Sequence, residues 1–203
     1  MAAELAQGFA ALGGLGPAVS VFGSARTPEG SPEHEQACEL GRRLGTEGLA
    51  VITGGGPGAM AGANQGAQEA GTRSVGLTID LPGEQGVNRW VDLEVPFHYF
   101  FCRKVMFVRY AGAFVVLPGG YGTFDELFEA MTLIQTRKVH HFPLVLVGTD
   151  YWGGLVDWLR DRVLAEGKIG QADLDLLHLT DDLDEAVALV AAALSTHRVG
   201  PPP

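Results

Sequence analysis

Short apolar runs closed by glycine or proline, each followed by a stretch with apolar residues at helical spacing, recur along this chain. The clearest instance is Ala113 to Met131, AFVVLPGGYGTFDELFEAM. Ala113 to Leu117 is rich in β-branched and aromatic residues, the pattern of a strand covered on both faces of a parallel sheet, and Pro118-Gly119-Gly120 stops it. Phe124, Leu127, Phe128, Met131 and Ile134 then recur at helical spacing, which predicts a helix with Thr123, Asp125 and Glu126 in its first turn.

The same reading predicts strands over Ala18 to Phe22, Leu49 to Thr53, Ser74 to Asp80, Trp90 to Val95, Phe142 to Gly148 and Leu177 to Leu179. Helices are predicted over Pro32 to Thr46, from the Gly58-Ala59 turn to about Ala70, and over Tyr99 to Ala111, Leu155 to Ala165 and Leu183 to Leu194. Leu81 to Arg89 reads as a loop with Glu84 and Asn88 as polar members, and Val199 to Pro203 as a disordered tail. Strand and helix alternate without an internal repeat. That predicts an α/β fold, a doubly wound, mostly parallel sheet flanked by helices, in a single domain over 1–198 with its core at about 17–194. Ligands of such sheets bind at the carboxyl ends of the strands.

Composition narrows the partners. With 46% hydrophobic residues in 203, the chain can bury a full core. A formal charge of -10 disfavours nucleic acid and anionic membrane, so a small molecule is the expected partner. Cys38 and Cys102 are too few for a disulfide framework and share no metal-ligand spacing with the histidines, so no metal is expected. Met1 to Pro17 is apolar but lacks the basic residues of a secretory leader, and no apolar run could span a bilayer, which points to a cytoplasmic protein.

The candidate chemistry gathers at two glycine loops. Gly119, Gly120 and Gly122 let a phosphate approach the N–H groups of a helix start, with Asp125 and Glu126 beside it. A carboxylate beside a phosphate subsite is electrostatically awkward unless it serves the chemistry, for instance by stabilising a cationic sugar. The alternative is a Thr123–Glu126 capping box with no chemistry. Gly54-Gly55-Gly56-Pro57-Gly58-Ala59-Met60 forms the second loop; Gly56, Gly58 and Ala61 with Asp80 also fit a dinucleotide fingerprint. Two loops suggest one mononucleotide held between them. Ser24 and Arg26, in the turn after the first strand, offer a hydroxyl and a guanidinium to a ligand or are ordinary surface polar groups. Arg103 and Lys104 interrupt a very apolar helix and are expected to point into the pocket. Tyr151-Trp152 reads as packing or subunit contact.

Pro118-Gly119-Gly120-Tyr121-Gly122-Thr123-Phe124-Asp125-Glu126 fits the motif PGGxGTxxE, and with the Gly54 to Met60 loop and Arg103-Lys104 the chain resembles the LOG family from about Val19 to Val190. The resemblance implies a Rossmann-like fold, a homodimer, no cofactor, and a nucleoside 5'-monophosphate phosphoribohydrolase that splits AMP or cytokinin riboside monophosphates into free base and ribose 5-phosphate. By position, Arg103 and Glu126 match the catalytic pair. Lys104 accompanies the arginine; Gly119, Gly120, Tyr121, Gly122, Thr123 and Asp125 match the nucleotide-binding loop, and Thr132 matches a threonine beyond it. The loop before Arg103 departs from that of the plant members, so Glu84 is not carried over as the counterpart of their additional binding glutamate. Members are often labelled lysine decarboxylases, for which Lys104 would have to carry a pyridoxal phosphate Schiff base. Arg103 is expected to orient Glu126 and hold it ionised. Two other readings are a non-catalytic carrier or sensor, of molybdenum-cofactor-carrier type, and a nicotinamide oxidoreductase resting on the Gly56 fingerprint.

Overall fold

The computed structural model describes residues 1–80, 86–139 and 142–196; Glu84 and the 199–203 tail lie outside them. Seven strands form one sheet: β1 (Ala18–Phe22), β2 (Ala50–Thr53), β3 (Ser74–Ile79), β4 (Leu93–Phe97), β5 (Phe114–Val116), β6 (Leu144–Val147) and β7 (Leu177–Thr180). Their spatial order is β4-β3-β2-β1-β5-β6-β7, and every recorded pairing is parallel. The order reverses between β1 and β5, so the fold is doubly wound and its binding crevice opens where those two strands end. The register Phe22↔Val116 brings Gly23-Ser24 level with Leu117-Pro118.

Burial explains which strands read as apolar runs. β1, β2, β5 and β6 are buried at every residue because helices cover both faces. β4 lies at the sheet edge and alternates, and the edge is where Pro96 is tolerated inside a strand. Phe22, Phe107 and Phe114 interlock on one face, with Phe22's ring centroid 4.9 Å from Phe107's and 4.8 Å from Phe114's.

Eight α-helices are described: α1 (Ala2–Leu12), α2 (Pro32–Thr46), α3 (Ala59–Glu69), α4 (Phe100–Tyr110), α5 (Tyr121–Gln135), α6 (Thr149–Trp158), α7 (Gln171–Leu174) and α8 (Leu183–Thr196). A π-helical segment, Leu159–Leu164, continues α6. The helix expected from Leu155 therefore begins earlier: Asp181 Oδ1 accepts from Thr149 N at 2.7 Å and pins its first turn. Met1 to Pro17 is not merely an apolar lead-in, since α1 packs on α4 with Gly8 against Met106. Glu4 Oε2 accepts from the backbone N–H groups of His98 and Tyr99, each at 3.2 Å, just before α4 begins. This fixes the helix that carries Arg103 and Lys104. Among the described residues no helix is long and apolar enough to cross a membrane.

Candidate functional site

A cleft of about 920 Å³ opens at the carboxyl ends of β1, β2, β3 and β5. Its floor is a three-way junction of loops held by Ser24. The backbone N–H of Ser24 donates to Pro118 O at 3.0 Å, and its carbonyl accepts from Ala59 N at 2.9 Å. The Ser24 hydroxyl oxygen accepts from Arg26 N at 3.0 Å, closing the β1 turn, and its O–H remains able to donate into the cleft that Ser24 lines. Arg26 is exposed on the cleft wall. Gly58 must be glycine here: its φ is +68°, and a Cβ would lie 2.4 Å from the Ser24 carbonyl oxygen.

The β2 loop is set by buried amides. Thr53 Oγ1 donates to Asn64 Oδ1 at 2.6 Å and accepts from Gly55 N at 2.9 Å. Asn88 Nδ2 reaches Gly55 O, Gly56 O and Asn64 Oδ1 at 3.1, 3.0 and 3.0 Å. Gly55 and Gly56 thereby form one wall of the cleft. Their loop follows β2, one strand away from the reversal between β1 and β5, which is not the position of a dinucleotide fingerprint in a doubly wound sheet. Asp80, the acidic member of that reading, is exposed and 4.0 Å from His98.

The opposite wall is the β5–α5 loop. Helix α5 starts at Tyr121 with Gly120 as its N-cap and no side-chain cap, so Thr123 lies inside the first turn and no Thr123–Glu126 capping box forms. Asp125 and Glu126 accordingly fall in the second turn, beyond the first turn predicted for them. Thr123 is buried beneath Gly119, where a Cβ would lie 2.1 Å from the threonine hydroxyl. Gly120, Tyr121 and Gly122 are exposed at the cleft rim, Tyr121 almost entirely. The N–H groups at this helix start have no acceptor within α5 and form an anion-binding end.

Glu126 is 5% exposed and faces this space. Burial pushes its carboxyl up to about 7, against the fields of Lys104 and Arg103, while Glu129 and Asp125 push it further up. The expectation that Arg103 holds Glu126 ionised is thus corrected: in the free protein desolvation outweighs both cations, and the carboxyl is poised near neutrality.

Arg103 is on the cleft wall. Its guanidinium packs against Gly54, 3.0 Å from where a Cβ would stand, and lies 5.2 Å from the Phe107 ring centroid. Lys104, one residue on, is turned out of the cleft onto the flank of α5, with Nζ 2.9 Å from Asp125 and 2.7 Å from Glu129. Adjacent residues on a helix cannot share a face, which is why the basic pair divides. Burial opposes the charge of Lys104, yet the hydrogen bonds it donates to Glu129 and Asp125 and the field of Glu126 outweigh it and raise its pKa. A protonated, doubly paired ammonium is a poor Schiff-base nucleophile. Thr132 is exposed further along α5, its hydroxyl donating to Phe128 O at 2.8 Å, and it does not reach the cleft of its own chain.

Sequence reasoning passed over other parts of the wall. Thr78 Oγ1, near the end of β3, donates to Glu94 Oε1 on β4 at 2.9 Å, and Met60, Phe97 and Phe100 supply apolar surface. Tyr151, read as packing, donates its hydroxyl to Gly119 O at 2.6 Å, whereas Trp152 is fully buried. Strand-end position was the available signal for Thr78 and Tyr151. Among the described residues no three His, Cys, Asp or Glu side chains converge in a way that could hold a metal.

A doubly wound parallel sheet with a glycine-lined crevice at its topological switch point defines a nucleotide-type α/β binding protein. The family described as "Possible lysine decarboxylase" matches residues 60–190. A cytokinin riboside 5'-monophosphate phosphoribohydrolase of Mycobacterium tuberculosis is 31% identical over 79% of this chain and 89% of its own. One from Arabidopsis thaliana is 31% identical over 74% and 71%. The chain belongs to this LOG family. Among solved structures, the molybdenum cofactor carrier protein of Chlamydomonas reinhardtii superposes with a TM-score of 0.66 at 27% identity, covering 89% of this chain and 99% of that one.

Proposed function

We propose that this protein is a nucleoside 5'-monophosphate phosphoribohydrolase that hydrolyses the N-glycosidic bond of AMP or cytokinin riboside 5'-monophosphates. The observation that carries the reading is a buried carboxylate, Glu126, in the helix turn that follows an anion-binding helix start. The 5'-phosphate sits on the amides of the Gly119 to Thr123 loop, which brings the ribose over Glu126. As the base departs, positive charge grows on the sugar, and an ionised Glu126 stabilises that state more than the ground state. The same carboxylate orients or deprotonates the attacking water. Arg103 favours the ionised form through its field and steadies the opposite wall at Gly54. Asp125 and the Gly55-Gly56 wall complete the enclosure.

The functional unit in this proposal is a homodimer. Helices α4 and α5 are bridged by Lys104 and leave Phe101, Val105 and Phe128 substantially exposed, an apolar face suited to a second copy. Thr132 is exposed on α5 with Phe128, so its role would be exercised across such an interface.

Incubation with AMP and chromatography for adenine and ribose 5-phosphate tests the reading. Release of both supports it. Tight retention of a phosphorylated ligand without turnover would instead favour a carrier, the activity named for the Chlamydomonas neighbour.

A further inference from the structure

We propose that Tyr151 is a positioning residue for the phosphate loop, aligning the Gly119–Gly120 peptide so that phosphate is recognised; this rests on the phosphoribohydrolase reading of the same cleft. The three successive carbonyls that lead into α5 are each occupied. Pro118 O accepts from Ser24 N at 3.0 Å, Gly119 O from the Tyr151 hydroxyl at 2.6 Å, and Gly120 O from Phe124 N at 3.0 Å. Among the described residues no peptide bond is cis, so each N–H points opposite to the carbonyl of its own peptide unit. Fixing the Gly119 carbonyl therefore also fixes the direction of the Gly120 N–H.

Of the three donors, two are backbone groups and one is a side chain. Gly119 and Gly120 have little intrinsic preference for one peptide orientation, so this plane is the part of the loop most in need of an external anchor. The anchor itself is rigid. Tyr151 lies in the first turn of α6, whose Thr149 is bonded to Asp181, and its ring meets Trp152 edge-on with centroids 4.9 Å apart. Tyr151 also lines the cleft, within reach of whatever the loop binds.

Tyr151→Phe keeps the ring against Trp152 and deletes the hydroxyl alone. We expect the KM for AMP to rise about 5- to 10-fold, the worth of one hydrogen bond. Turnover (kcat) should stay within about twofold, because the reacting bond is remote from the loop. In calorimetric titration the affinity for ribose 5-phosphate should fall by a similar factor while that for adenosine is unchanged. A melting temperature within about 4 °C of wild type would establish that the variant is folded. Unchanged ribose 5-phosphate affinity, or equal weakening of ribose 5-phosphate and adenosine, overturns the role of Tyr151. Wild-type protein that binds ribose 5-phosphate but releases no adenine from AMP overturns the hydrolase reading, and the titration still judges Tyr151. Wild-type protein that binds no ribose 5-phosphate overturns both.

Discussion

Lys104 Nζ sits 2.7 Å from Glu129 Oε2 on the outer flank of α5, so the cation with the largest influence on Glu126 works from outside the cleft. Its pairing with Asp125 and Glu129 keeps it charged, and a charge acts on a buried carboxyl through its field without touching it. Lys104→Met removes that field while retaining most of the aliphatic stem. The Glu126 carboxyl should then ionise at a pH above about 7. In profiles of kcat/KM against pH for adenine release, the ascending limb should move to higher pH in the variant. An unmoved limb would mean that Glu126 is insulated from Lys104.

The wild-type profile itself is diagnostic. A carboxylate that must be ionised to act, with a pKa near 7, makes kcat/KM rise with pH and level off above about 7. The substrate phosphate titrates lower, at about 6, so the two limbs separate. Glu126→Gln should keep the fold, lose the upper limb and lower turnover by roughly 100-fold or more, the range seen when a transition-state charge stabiliser is removed. Near-normal release of adenine by that variant would remove Glu126 from the chemistry.

The same titration tilts stability. The folded carboxyl binds its proton up to about 7, against an ordinary value of 4.5, so between these values the native state holds a proton that the unfolded state has released. The associated stability is fully present below about 4.5 and is lost as the pH rises through about 7. The loss is on the order of 3 kcal/mol for a carboxyl this buried. Glu126→Gln has nothing to ionise. Denaturant unfolding at pH 5 and pH 8 should show the wild type weakening relative to the variant at the higher pH. Parallel behaviour of the two proteins would show that water or a counter-charge already solvates Glu126.

Most of this architecture is legible in the residues because central parallel strands are apolar at every position, and β1, β5 and β6 are such runs punctuated by glycine or proline. Pro32 and Thr46 mark both ends of α2 because a proline opens it and Gly45 and Gly48 break its end. What stayed hidden depends on contacts distant in the chain. α1 owes its identity to packing on α4, a partner that an Ala-rich segment does not announce. The motif residues from Gly119 to Glu126 pointed to the right loop, but the sense of each side chain had to come from the helix start. With Gly120 as N-cap, Glu126 turns inward and Thr132 outward, and the adjacent Arg103 and Lys104 part company. Tyr151 could not be placed without knowing that β6 lies beside β5.

Asn64 is buried with no exposed surface and bonds Thr53, Ser74 and Asn88, with a further bond to Val75 O at 3.3 Å. Its side chain joins the ends of two strands to the β2 glycine loop. Asn64→Ala leaves the Thr53 hydroxyl without its acceptor and the Ser74 hydroxyl oxygen without its donor, and should destabilise the protein by about 1–3 kcal/mol. Asn64→Leu should be worse, because it adds an apolar branch to a polar nest without satisfying any of these groups. Denaturant midpoints measure both losses. A midpoint equal to wild type for Asn64→Ala would show that water replaces the amide without loss.

Arg103 and lysine are not equivalent at this wall. The guanidinium plane lies against Gly54 and near the Phe107 ring, an arrangement that suits a flat, delocalised cation and not a compact ammonium. Arg103→Lys keeps the formal charge but removes the plane that steadies the Gly54 wall facing Glu126. If charge alone mattered, activity would survive the exchange and the pH limb would stay in place. If the planar contact matters, kcat/KM falls roughly 10- to 100-fold even though the charge is retained, a misplacement effect and not an electrostatic one. Arg103→Ala loses both the plane and the field that favours ionised Glu126, so its limb should also shift upward in pH. The lysine and alanine variants therefore separate the two contributions: a fall in rate common to both belongs to the wall, and a displaced limb seen only with alanine belongs to the charge.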